Sequence, residues 1–237
     1  MKTIFFDFDG TLTQKSPNIW KAIWKSCNYD TSKESYFADL FCRFISGNIT
    51  HQEWCDLTCE KFMQANFSKR MLNDLAGNIK TIDGLDATLK TLKANGYSLH
   101  IISGNIKQVI EEVLGDKVRY FDTINANKMQ FDENGKIVYI EGTNYDFEGK
   151  ARFIEEFKEK TNSNAKDLIF VGNGDNDEWA HLSGCKTICI NPDNADFSNK
   201  TKWHVCEPNV TNLTQILPLF DAQLESHLDD DTHNFEI

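Results

Sequence analysis

The residues of this 237-residue chain with the clearest capacity for chemistry are acidic and closely spaced. Asp7 and Asp9 stand two apart in IFFDFDGT, at the end of an apolar run. Asn173, Asp175 and Asp177 alternate in VGNGDNDE, again just after an apolar run. Between these segments lie Ser103 and Gly104 in IISGN, and Lys150 before ARFIEEF. The first carboxylate of an Asp-x-Asp pair can attack phosphorus while it ligates a cation. The second, when protonated, can donate to a leaving oxygen and then activate water. Ser103 and backbone N–H groups can hold phosphoryl oxygens, and Lys150 can neutralise the charge that develops there. Brought to one crevice, so many carboxylates are strongly unfavourable unless a divalent cation joins them. Carboxylate, amide and carbonyl oxygens, without His or Cys, favour Mg²⁺ over Ca²⁺ or Zn²⁺.

The elements that must deliver these residues can be read from periodicity. TIFFDF (3–8) is a short buried strand opening into an Asp-Gly turn. From 17 to about 80 the pattern is helical. Ile19, Trp20, Ile23, Trp24 and Cys27 share one helical face, and Thr50 with Glu53 forms a capping box before the segment His51 to about Ala65. Beyond Asp83-Gly84, helices alternate with strands: helix 85–95 stopping at Gly96, strand 97–103, a Gly-Asn turn, helix 106–114 and strand 120–126. A hairpin turning at Asn134-Gly135 follows, then helix 150–160 and strands 167–172, 187–191 and 203–206. Strands separated by helices imply a doubly wound parallel α/β core. The expected organisation is therefore a core of 1–13 and 81–220, a helical cap at 14–80 inserted after the first strand, and an acidic, frayed tail at 221–237. In an open parallel sheet the carboxyl ends of the strands carry the ligand site, and every cluster named above falls there.

Composition removes several other classes of function. Asp and Glu number 36 against 25 Lys and Arg, a net charge of −11, and only four of the cations are Arg. Nucleic-acid and anionic-membrane binding depend on clustered cations and are not expected. No apolar run approaches the ~20 residues of a membrane span, and Asp7 breaks any leader-like apolar stretch. The seven scattered Cys read as reduced thiols in a cytoplasmic protein, with Cys55 and Cys59 as buried apolar residues rather than zinc ligands. The protein is expected to be a monomer or a homodimer.

IFFDFDGTLT, IISGN with Ser103, Lys150 before ARFIEEF, and VGNGDNDEWA resemble, in order and context, the four motifs of the haloacid dehalogenase superfamily of phosphatases. The resemblance covers about residues 2–206. The hairpin segment and the position of the helical insertion are similar to phosphoserine-phosphatase-like members. The resemblance implies Asp7 as nucleophile, Asp9 as general acid and base, and Ser103 and Lys150 as phosphate ligands, with Thr11 and Gly104 completing that set. It implies Mg²⁺ held by Asp7, the Asp9 backbone carbonyl, Asn173 and Asp177. Two departures stand out. Asn173 occupies a position where the family normally has Asp, which removes one charge from the metal site. Members acting on phosphoserine carry a Glu shortly after the first motif, whereas TQKSPNIWKAIWKSCNY has no carboxylate before Asp30. Lys15 and Arg43 are candidate substrate contacts. Trp20 and Trp24 are read first as cap core and second as pocket lining. The leading expectation is a Mg²⁺-dependent phosphomonoesterase acting on a small phosphorylated metabolite through an aspartyl-phosphate. A phosphate- or metal-binding relative with little turnover, and a phosphoserine phosphatase proper, stay open.

Overall fold

The computed structural model describes residues 2–15, 18–193 and 202–220. The reading of a frayed tail at 221–237 falls outside these. Seven strands form one sheet in the order β4-β3-β2-β1-β5-β6-β7. They are β1 (Thr3–Phe6), β2 (Ser98–Ile106), β3 (Thr123–Phe131), β4 (Ile137–Glu141), β5 (Leu168–Gly172), β6 (Lys186–Ile190) and β7 (Val205–Glu207). All neighbours are parallel except the β3–β4 hairpin. β1 is central, with Phe6 opposite Ile101 of β2 on one side and Val171 of β5 on the other. The chain builds outward from β1 through β2 and β3, then returns to β5 on the other side. The strand order therefore reverses at β1, which opens a crevice at its carboxyl end.

Alternation along β1 sends side chains to two cores. Ile4 and Phe6 pack with Leu85 and Leu89 of α5 (Leu85–Ala94), Ile110 of α6 (Lys107–Leu114) and Leu213 of a final 3₁₀ turn (Leu213–Leu219). Phe5 packs on the opposite face with Ile154 of α7 (Glu148–Thr161) and Ala180. Phe5 is fully buried, so truncation to Ala is worth about 3–5 kcal/mol in transfer and cavity terms. Both faces are covered, as the continuous apolar runs require.

Among the described residues, four helices lie between β1 and α5: α1 (Ile19–Ser26), α2 (Tyr36–Ile45), α3 (His51–Gln64) and α4 (Lys69–Ala76). α3 starts at the expected capping box, Thr50 accepting from the Glu53 N–H and Glu53 from that of Thr50. The chain leaves and returns through a paired neck. Thr13 bridges Thr81, Gln14 N–H donates to Lys80 O at 2.9 Å, and Ile82 N–H donates to Leu12 O at 3.0 Å. The apolar centre of these helices, Trp24, Phe62 and Phe67, continues into Met129, Ile137 and Ile140 of the hairpin. Ile137 N–H donates to Phe67 O, and Lys69 N–H to Gly135 O, so the hairpin braces the insertion against the core. Among the described residues no helix is long and apolar enough to cross a membrane.

One boundary differs in a way that matters. The expected turn at Gly104-Asn105 is strand: β2 runs on to Ile106, with a register shift against β3 between Ile102 and Ile106. Asn127 of β3 explains it, because its amide N–H donates to the carbonyls of both Gly104 and Asn105. A side chain distant in sequence takes over the pairing there, which a local Gly-Asn signal cannot reveal.

Candidate active site

Asp7 is the first residue beyond β1, its N–H donating to Val171 O at 2.9 Å, so the strand ladder fixes its position. Lys150, in the first turn of α7, is completely buried. Its Nζ donates to Asp7 Oδ1 at 2.8 Å and also to Asp177 Oδ1. The Asp177 carboxylate is held in turn by the backbone N–H groups of Asn173 and Gly174, at 2.9 and 3.0 Å. One ammonium thus ties together the ends of β1 and β5 and the start of α7. Burial alone would lower the Lys150 pKa, but Asp177 and Asp7 outweigh it and keep the group charged. Burial and the nearby Asp177 push Asp7 up, against the pull of Lys150. Asp9 is raised to about 6, mainly by burial, despite a 2.8 Å hydrogen bond from the Asn105 amide.

Two buried carboxylates, Asp7 and Asp177, and the partly buried Asp9 share one ammonium here, and the upward shifts of Asp7 and Asp9 reflect that crowding. Among the described residues no three His, Cys, Asp or Glu side chains form a metal cage by themselves. The oxygen donors at this rim nonetheless suit Mg²⁺, which uses one or two carboxylates and leaves its remaining positions to water and substrate phosphate.

The other sequence candidates are distributed unequally. Ser103 and Gly104 line the crevice with Asp7, Asp9 and Asn173. Asn173 also meets the Gly10 turn: a Cβ on Gly10, where φ is +72°, would lie 2.4 Å from the Asn173 amide nitrogen. Thr11 does not face the crevice. It is fully buried and its hydroxyl donates to Asn173 Oδ1 at 3.3 Å, so it holds the amide rather than a phosphate. Asp177 is likewise fully buried, with both oxygens engaged, and stands behind the crevice rather than in it. Lys15 pairs with Asp193 at 3.1 Å on the surface and lies outside the main cavity, along a neighbouring groove. Arg43 sits in the last turn of α2 and is not part of the cavity wall, because that turn carries it toward Glu53.

The cavity above Asp7 has a volume of about 600 Å³. Its floor comes from the core and its far wall from the inserted helices. Trp20 lines it, and the indole N–H donates to Gly104 O at 2.9 Å, joining α1 to the end of β2. Trp24 instead belongs to the apolar centre of the helices.

Sequence reasoning missed three polar residues of the floor. Asn105 holds Asp9. Asp146 accepts a hydrogen bond from the Asn176 amide, and a Cβ on Gly104 would lie 2.7 Å from its carboxylate. Phe147, next in the chain, has φ +48°, a strained conformation for a side-chain-bearing residue and one that aims the chain into α7. Asn105 lay inside a motif and could have been found there. Asp146 and Asn176 are brought together only by folding.

Comparison with known proteins identifies the family of the chain. The family model for haloacid dehalogenase-like hydrolases matches residues 1–180. The chain belongs to that family. It is 26% identical over 129 residues to a phosphoglycolate phosphatase of Aquifex aeolicus, covering 52% of this chain and 60% of the relative. It is 29% identical over 111 residues to a phosphoserine phosphatase of Archaeoglobus fulgidus, covering 45% of this chain and 30% of the relative. The match thus spans less than two thirds of the length of either relative. A solved structure described as a phospho-aspartyl intermediate analogue of phosphoserine phosphatase superposes with a TM-score of 0.67. That likeness covers 93% of this chain and 99% of the other, at 21% identity, and is a likeness of fold.

Proposed function

We propose that this haloacid dehalogenase-like hydrolase is a Mg²⁺-dependent phosphomonoesterase that works through an aspartyl-phosphate on Asp7. The observation that carries the reading is the pairing of Asp7, fixed by β1 and by Lys150, with Asp9 at a pKa of about 6 on the same crevice. The Asp7 carboxylate attacks phosphorus and the P–O bond to the leaving group breaks. Asp9, protonated, gives its proton to the departing alkoxide. It then takes a proton from the water that attacks the aspartyl-phosphate, and inorganic phosphate leaves. A carboxyl that titrates near the working pH suits both transfers. Ser103 and the backbone at Gly104 bind phosphoryl oxygens, while Lys150 and Asp177 hold Asp7 in line. Asp7, the Asp9 carbonyl and Asn173 hold the Mg²⁺, which supplies charge neutralisation on the transferring phosphoryl group.

The test is phosphate release from a generic aryl phosphate with and without Mg²⁺, in the wild type and in Asp7→Asn. Metal-dependent turnover abolished by the substitution supports the reading. Activity that survives it removes Asp7 as the nucleophile. A second reading, a member that binds phosphate with little turnover, is favoured by Asn173 alone; tight phosphate binding without turnover at saturating Mg²⁺ would establish it.

A further inference from the structure

The cavity over Asp7 has two walls of different chemistry. The core side is carboxylate, amide and hydroxyl. The helical side is built mainly of rings. Phe37, Phe41 and Phe44 recur at i, i+4 and i+7 on α2 and so share one face of that helix. α2 fully buries only Leu40; Phe37 and Phe44 are half-buried against the apolar centre of the insertion and Phe41 stays 42% exposed, so the face keeps ring surface toward the cavity. Trp20 from α1 and Trp54 from α3 extend the wall, their ring centroids 4.9 Å apart at an interplanar angle of 79°. Phe44 stands 6.3 Å from Trp54. His51 stands 5.1 Å from Phe44 and lies nearly parallel to Trp54. Trp24 and Phe62 belong to the same buried cluster as Trp20 and Trp54 but, unlike them, do not touch the cavity.

Polar recognition on the helical side is sparse. Among the described lining residues, the inserted helices contribute no carboxylate, one ammonium in Lys21, one amide in Asn18 and one imidazole in His51. The Asn18 side-chain oxygen already accepts from the Lys21 N–H as a helix cap. The indole N–H of Trp54 and Nδ1 of His51 are buried without a hydrogen-bond partner, two isolated polar atoms in a wall that is otherwise ring surface. An amino-acid or sugar leaving group would meet rings where it needs donors and acceptors, at a desolvation cost. A flat apolar ring would meet the edge-to-face and stacked partners that aromatic groups prefer. A cavity of about 600 Å³ is also ample for one or two fused rings carrying a phosphate.

We propose that the preferred substrates are phosphate monoesters whose leaving alcohol carries an aromatic ring, held against Phe37, Phe41, Phe44, Trp20 and Trp54 while the phosphate reaches Asp7. The proposal rests on the phosphomonoesterase reading and names its substrate class.

The experiment uses the full chain with Mg²⁺ and compares benzyl phosphate with n-propyl phosphate and phosphoserine. These are primary alcohols of similar basicity, so the bond broken is much the same. Two or more ring contacts predict a kcat/KM at least about tenfold higher for benzyl phosphate, carried mainly by KM. Phe41→Ala and Phe44→Ala should shrink that ratio several-fold, with melting temperature measured alongside to register misfolding. A ratio near one, or a preference for phosphoserine, overturns the proposal while leaving the Asp7 chemistry standing. Binding of benzylphosphonate against n-propylphosphonate, read by tryptophan fluorescence, needs no turnover. Equal affinity there, or no binding of either, overturns the proposal even in an inactive protein. Absent turnover of every ester, together with a tenfold preference for benzylphosphonate, would refute the phosphatase reading and keep the ring site.

Discussion

Replacing Asn173 by Asp separates two effects that pull in opposite directions. The side chain is 7% exposed, accepts from Thr11 and packs against the Gly10 turn, so the isosteric carboxylate keeps the shape of the site. What changes is charge. Asp7, Asp9 and Asp177 already outnumber Lys150 by two. A further uncompensated carboxylate in such a place costs on the order of 3 kcal/mol, part of which protonation relieves. About 2 kcal/mol should remain without metal, lowering the melting temperature by roughly 4–8 °C for a chain of this size. Bound Mg²⁺ reverses the sign, because added ligand charge tightens the site; we expect Kd to fall about 10- to 100-fold. Thermal melts across a Mg²⁺ titration, with calorimetry for Kd, read both quantities. The curves of wild type and Asn173→Asp should cross, the variant less stable without metal and more stable at saturation. Unchanged Mg²⁺ affinity would refute the placement of Asn173 at the metal.

Two further outcomes follow from buried and surface charge. Lys150→Met removes the shared ammonium and leaves the Asp7 and Asp177 carboxylates buried and unpaired; we expect a loss of about 3–5 kcal/mol by chemical denaturation, and an unchanged denaturation midpoint would show that the pair is not ionised as described. Asp122 feels a burial term that raises its pKa, but Ser98, the Leu99 N–H and Lys93 outweigh it and hold it below the usual carboxylate range. Its contribution is present above the unfolded-state pKa and is lost as pH falls through the lowered folded value. Because the side chain is 43% exposed, solvent screening limits it to about 1 kcal/mol. Asp122→Asn should therefore cost that much at neutral pH and little at pH 2–3, measured by urea melts; a pH-independent cost would contradict the assignment.

The parts of this fold that were legible in the sequence are those whose signal is local. TIFF and LIFV are fully buried strands because both faces of a parallel sheet are covered, and a continuous apolar run is all that this requires. The Thr50–Glu53 box was legible for the same reason. The acidic motifs fell at strand ends, and Asp7, Asp9, Ser103 and Asn173 converge as expected. What stayed hidden depends on partners far away in sequence. The continuation of β2 through Asn105 needs Asn127, and the closeness of Gly104 to Asp146 needs the α7 entry. Thr11 was expected as a phosphate ligand from the family resemblance, yet only the folded chain shows its hydroxyl donating to Asn173. Lys15 and Arg43 read as anion contacts from charge alone, and charge does not say which way a helix end faces.

The net charge of −11 sets the terms on which this crevice can take an anion. No long-range field draws the substrate in, so the attraction must be assembled within a few ångströms of Asp7. Lys150 is part of that assembly, yet at rest two of its three N–H donors are already given to Asp7 and Asp177. The two facts are compatible because the charge moves during the reaction. On the proposed mechanism Asp7 Oδ attacks, its negative charge passes to the phosphoryl oxygens, and the ammonium hydrogen-bonded to Asp7 is already beside them. Asp177, fixed by two backbone N–H groups, keeps the lysine from following the charge too far. The buried triad thus holds a cation against the place where charge will develop, which is preorganisation in its most economical form. It also explains why Asp177 stands behind the crevice rather than in it: its task is to position Lys150, and a carboxylate with both oxygens engaged is well suited to that.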